Sequence, residues 1–147
     1  MRYSYSRKAG LLVSILLLAA IGLAACGGSA SGAAPKPVDV TVTLTEFKIE
    51  SSLTDFKVGV PYHFIVTNSG TVAHEFRIMP PSNGTITQDE AQQTTLASIS
   101  SADLTTGATK TLDYTFKQAA PAGALELACH TPGHYEAGMH IGITVEN

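Results

Sequence analysis

The sequence predicts an all-β fold, a single antiparallel β-sandwich carrying one short helix, and three observations predict it. Several stretches alternate apolar and polar residues with the period of two that turns one strand face inward. Turn-forming residues separate those stretches at short intervals. Strands and helices do not alternate in the βαβ manner that a parallel sheet requires. Taken in order, Val38, Val40, Val42 and Leu44 alternate with Asp39, Thr41 and Thr43 and predict the first strand. Tyr62 to Thr67 is a compact apolar run, and another apolar strand begins just after His74. Leu112, Tyr114 and Phe116 share one face, Leu125, Leu127 and Cys129 share another, and Ile141, Ile143 and Val145 alternate with Gly142 and Thr144. Gly59 and Pro61, Asn68 to Gly70, Pro80 to Gly84, Gly107, Pro121 to Gly123 and Pro132-Gly133 supply the punctuation. The helix is predicted near residues 88–95: Thr87-Gln88-Asp89-Glu90 has capping-box spacing, with Thr87 as N-cap and Glu90 at N3.

The 147 residues suffice for about one domain. Arg2, Arg7 and Lys8 precede an apolar run from Leu11 to Leu23 that ends in Leu23-Ala24-Ala25-Cys26. This is the pattern of a signal peptide over residues 1–25 with a lipobox, which makes Cys26 the lipidated first residue of the mature chain. A permanent membrane helix is the rival reading, and the run is short for a span of about 20 apolar residues. Diacylation would hold the protein on the extracytoplasmic face of a membrane, since two chains anchor where one is marginal. Residues 26–37 continue as a Gly, Ser, Ala and Pro tether, and residues 38–147 form the folded domain. Without the signal the chain keeps six basic residues against twelve acidic ones, a formal charge of −6. Such a domain, with no basic run, is a poor nucleic-acid binder.

Lipidation of Cys26 leaves Cys129 as a lone thiol in an oxidising compartment, with no intramolecular partner. Its neighbourhood is chemically dense. From Cys129 to His140 a thiol, three imidazoles and a thioether occupy twelve positions between two predicted strands. A thiolate, two imidazoles and a weak axial thioether form the donor set that suits an electron-transfer copper. Zinc is the rival metal, but it makes less use of a thioether. The loop offers Cys129, His134 and Met139, and His74, just after the Asn68-Ser69-Gly70 turn, is the candidate for the second histidine.

With its C-x4-H-x4-M loop and an upstream histidine after an N-x-G turn, the chain resembles the cupredoxins, the single-domain blue copper proteins. The loop is most similar to that of rusticyanin-type members. The resemblance implies a Greek-key sandwich of about eight strands holding one type 1 copper through His74, Cys129, His134 and Met139. It also implies single-electron transfer between redox partners, with His134 as the exit. Copper storage, resistance or chaperoning is the alternative, but such proteins tend to expose Met-rich or His-rich sites, and the mature chain holds only Met79 and Met139. An enzyme is not expected. Multicopper oxidases resemble this fold but carry histidines on both sides of the cysteine, where this chain has Ala128 on one side, and a binuclear centre needs a second loop cysteine. The expected protein is a monomer whose acidic surface suits a partner with a basic docking face.

Two positions depart from the family pattern. Asn usually follows the first histidine and Ser or Thr follows the cysteine, whereas this chain has Glu75 and His130. The expectation is a carboxylate–imidazole hydrogen bond between them that ties the two ligand loops together; the alternative is that both face solvent. His140 is expected at the surface, with a weak second metal site shared with His130 as the rival reading. His63 is expected on the polar face of a strand, and Met79 in an apolar patch near the metal.

Overall fold

A computed structural model of the chain describes residues 35–82 and 86–147. The predicted signal peptide, the lipidated Cys26 and most of the tether lie outside the described residues. The strands are β1 (Val38–Thr45), β2 (Lys48–Ser51), β3 (Asp55–Lys57), β4 (Pro61–Asn68), β5 (Phe76–Met79), β6 (Ala97–Ile99), β7 (Thr109–Thr115), β8 (Ala120–Ala128) and β9 (His140–Glu146). One helix, α1 (Gln88–Thr94), sits between β5 and β6. No helix among the described residues is long and apolar enough to cross a membrane.

The strands form two sheets, in the orders β2-β1-β4-β7 and β3-β9-β8-β5-β6. The expected sandwich is present, with one difference. Most neighbours run antiparallel, but β1 pairs with β4 and β3 with β9 in parallel, so both sheets are mixed. Each parallel pair joins strands that are not successive in the chain, which alternation within single strands cannot reveal. The β-branched and aromatic residues fit the pleat, and the inner positions meet in one core. Val40, Val42 and Leu44 from β1 and Phe64 and Val66 from β4 face Phe76, Ile78, Leu127, Ile143 and Val145 from the other sheet. Phe56, Tyr62 and Phe116 close one end with edge and tilted ring contacts at centroid separations of 4.9–6.1 Å.

The helix begins as its sequence predicts. The Thr87 side chain accepts from the Glu90 N–H, and the Glu90 carboxylate accepts from the Thr87 N–H at 2.8 Å. The Pro121–Gly123 signal resolves differently: these residues lie within β8, where the pairing with β9 shifts register between Ala120 and Leu125 and Gly123 adopts φ 82°. The turn residues therefore mark an irregularity inside a long strand.

The second sheet is covered on both faces along β5 and the last residues of β8. Along β5 every residue is buried, and so are Leu125 to Ala128 of β8. Phe76, Ile78, Leu125 and Leu127 face the core between the sheets. On the outer face Met79 and Ala128 pack with Ala91 of α1 and with Tyr135. Met79 is thus beneath the helix, fully buried, and not in a surface patch. The cause is the cover that α1 and the loop after β8 provide.

Candidate metal centre

Two loops meet at one end of the sandwich. The first follows β4 and is organised by Asn68, whose buried side chain donates to the carbonyls of Val72 and Leu104, each at 2.8 Å, and accepts from the Gly70 N–H at 2.9 Å. Those bonds fold the Asn68-Ser69-Gly70 turn into a shelf from which His74 enters, its N–H bonded to the Leu104 carbonyl at 3.1 Å. Gly70 is required for space: a Cβ there would lie 2.7 Å from His74 Nε2.

The second loop joins β8 to β9. It closes through Cys129 N–H to the Met139 carbonyl and Met139 N–H to the His134 carbonyl, both at 3.0 Å. The His134 N–H bonds the Thr131 carbonyl at 2.9 Å. Gly133 and Gly138, at φ 81° and 98°, make the two reversals possible. Cys129, His134 and Met139 are thereby held on one coil of chain.

The side chains converge. His74 Nδ1 and His134 Nδ1 stand 3.1 Å apart, and the Cys129 Sγ lies 3.7 Å from His134 Nδ1. These three donors form a group whose atoms all lie within 4.8 Å of one another. The sulfur also accepts from the Glu75 N–H at 3.5 Å and reaches Thr131 Oγ1 at 3.4 Å. Met139 is fully buried at the end of the same loop. Burial pushes the Cys129 thiol up, and burial, reinforced by His134, pushes the His74 imidazole down. The imidazole is thus kept neutral with a lone pair free. A buried thiolate needs a positive charge beside it, and two ring nitrogens facing each other next to that sulfur leave a place for one. The donor set therefore fits a soft, mononuclear metal ion.

Glu75 and His130 are both buried, at 5% and 7% exposure, so neither faces solvent. They do join the two loops, though by a bond other than the expected one. The Glu75 carboxylate accepts from the backbone N–H of His130 at 2.8 Å, not from its imidazole. Glu75 can carry its charge there because Arg77 grips it with Nε at 2.8 Å and Nη2 at 3.0 Å. Arg77 is in turn held by α1: it donates to Gln88 at 2.9 Å, Gln92 at 3.3 Å and Thr95 at 3.0 Å. The Gln88 amide donates to the His130 carbonyl. Arg77 and the glutamines of α1 escaped the sequence reading. The one available signal was Arg77 itself, a charge in the middle of an apolar strand.

His130 stacks on Tyr135 with ring centroids 4.3 Å apart, and Tyr135 stacks on His140 at 4.5 Å. The two imidazoles therefore flank the tyrosine ring and do not share an ion; among the described residues the metal-capable group is His74, Cys129 and His134. His140 is exposed and pairs with the buried Glu126 at 3.3 Å. His63 lies on the outer strand face, paired with Asp113. Around His134, itself 9% exposed, Pro132, Gly133, Ala137 and Gly138 are open to solvent.

The architecture is a β-sandwich with its donor cluster at one end. No family model matches the chain and no curated protein matches its sequence. Solved structures do match. Na-dithionite-reduced auracyanin from Roseiflexus castenholzii superposes with a TM-score of 0.54 at 16% identity, over 76% of this chain and 98% of that one. Auracyanin A, a "blue" copper protein from Chloroflexus aurantiacus, gives 0.54 at 17%, over 75% and 99%. Reduced rusticyanin gives 0.53 at 18%, over 81% and 88%. At these identities the likeness is one of fold.

Proposed function

We propose that this chain is a blue copper protein that carries single electrons between extracytoplasmic partners, tethered to a membrane through Cys26. The observation that supports it most strongly is the convergence of His74 Nδ1, Cys129 Sγ and His134 Nδ1 beneath the β8–β9 loop. In this reading His74, Cys129 and His134 would hold one copper, with Met139 as a fourth, weaker donor. The ion supplies a one-electron couple that no amino-acid side chain here offers at moderate potential.

The chain's own residues do the rest. The Glu75 N–H donates to the sulfur, drawing charge from it and raising the potential. The Glu75–Arg77 pair locks the backbone of both ligand loops so that the donors keep their places in either oxidation state. Little rearrangement then accompanies electron transfer. His134, ringed by exposed small residues, is the exit to a docked partner.

The test is to load the purified chain with one equivalent of Cu(II) and record visible and paramagnetic resonance spectra. The expected result is an intense thiolate charge-transfer band that bleaches reversibly with mild reductant and disappears in Cys129→Ala. A weak, colourless Cu(II) spectrum beside tight Cu(I) binding would contradict the carrier and point to copper storage or transfer.

A further inference from the structure

The hairpin turn between β1 and β2 consists of Glu46 and Phe47, and both residues lie against the histidine donors. Phe47 has φ 61°, the one positive φ at a non-glycine residue among those described. Tight hairpin turns that need left-handed backbone ordinarily use Gly, Asn or Asp. A bulky aromatic there is a genuine outlier, and with half its surface exposed it gains little from burial. The strained position does secure a contact. Its ring meets His134 edge-on, with centroids 5.5 Å apart and an interplanar angle of 79°.

Glu46 reaches the other histidine. Its carboxylate accepts from the Thr71 N–H and from the Thr71 hydroxyl, which pins the loop carrying His74. The same Oε1 lies 2.8 Å from the point where a Cβ on Gly70 would sit, and His74 Nε2 lies 2.7 Å from that point. Carboxylate and ring nitrogen thus border one narrow gap that only glycine leaves open. That Nε2 is buried and has no hydrogen-bond partner. The His74 Nδ1 faces His134 Nδ1 at 3.1 Å on the opposite edge of the ring, and the Glu46 carboxylate lies across the gap from Nε2.

We propose that the Glu46–Phe47 turn is a positioning device for the two histidines: Glu46 fixes the placement of His74 by pinning its loop through Thr71, and Phe47 shields the His134 ring from water. This deepens the copper reading, because it explains what holds the two imidazoles, and it rests on that reading only for its effect on the metal. Backbone strain that persists at an exposed turn is expected where the side chain serves a site. Both residues act through the histidines.

The test uses the purified metal-free chain. Diethyl pyrocarbonate modification, located by peptide mass spectrometry, is compared for wild type, Phe47→Gly and Phe47→Asn, two residues that accept the left-handed turn. Severalfold faster modification of His134 is expected in both variants, with His63 and His140 unchanged as internal references. An unchanged His134 rate overturns the shielding, and loss of the fold in both variants overturns the claim that Phe47 sits against its backbone preference. For Glu46→Ala, which releases Thr71, the same modification should reach the otherwise buried His74 severalfold faster, with His63 and His140 again unchanged; an unchanged His74 rate overturns that half. Cu(II) loading of the wild type is run alongside. Absence of the charge-transfer band there sinks the copper reading while leaving both metal-free results to stand or fall separately.

Discussion

In the sheet β2-β1-β4-β7 the buried positions alternate with open ones along β1 and β4, whereas β5 and the last residues of β8 in the facing sheet are buried at every position. The first sheet buries apolar side chains, with Asn68 at the end of β4 as the polar exception. The second also buries Arg77 and Glu126, and the residues flanking its strands bury Glu75, His74 and His130. The difference lies in cover. One sheet has water on its outer face, while the other has α1 and the β8–β9 loop, so its outward side chains must be satisfied by protein. The core makes the fold stable, and the second covered layer builds the site.

Two truncations of similar cost should separate these roles. Phe64→Ala in the one-sided sheet should lower stability by about 3–5 kcal/mol and leave the spectrum of the copper-loaded protein unchanged. Arg77→Ala should cost about 3–5 kcal/mol as well, by leaving the buried Glu75 carboxylate unpaired. It should also shift the charge-transfer band, because the Glu75 bond to the His130 N–H loses its anchor. Denaturant unfolding and visible absorption read both quantities. If Arg77→Ala left the band untouched, the two sheets would not differ in the way described.

Gly70→Ala tests the close approach at His74. Displacing the ring should cost about 1–3 kcal/mol, the usual penalty of overpacking, and weaken copper retention against a chelator. Thr87→Ala removes one half of the capping box and should cost about 1 kcal/mol in thermal unfolding. The smallest effect concerns pH. Burial holds the His130 imidazole below its ordinary 6.5, and His74 is shifted the same way. The unfolded chain therefore binds these protons more readily than the folded one, so the stability they contribute is present above 6.5 and lost as pH falls below it. In the metal-free protein His130→Gln should flatten that decline; an identical profile would show that His130 is not held neutral by burial.

The first sheet was partly legible in the sequence because water on one side imposes alternation: Val40, Val42 and Leu44 of β1 are inward as the period of two selected them, while β4 was read only as an apolar run. The cluster of His74, Cys129 and His134 was legible too, since the last two lie in one loop and the Asn68-Ser69-Gly70 turn announces the first. Short β2 and β3 were not, having four and three residues and too little pattern. Nor was the support of the site. Arg77, Gln88, Gln92 and Thr95 are spread over two elements and act only through a packed face. Glu75 was singled out from sequence, but its partner was misplaced by one group, because the backbone N–H of His130 is invisible in a side-chain pattern. The pair Glu46–Phe47 was hidden because a hairpin turn read alone says nothing about what its side chains reach.

The most direct test is crystallographic. A copper-loaded crystal examined at the copper absorption edge should show a single anomalous peak per chain, placed among His74, Cys129 and His134 with Met139 adjacent. A peak at His63 or His140, or none at the buried thiol, would contradict the account.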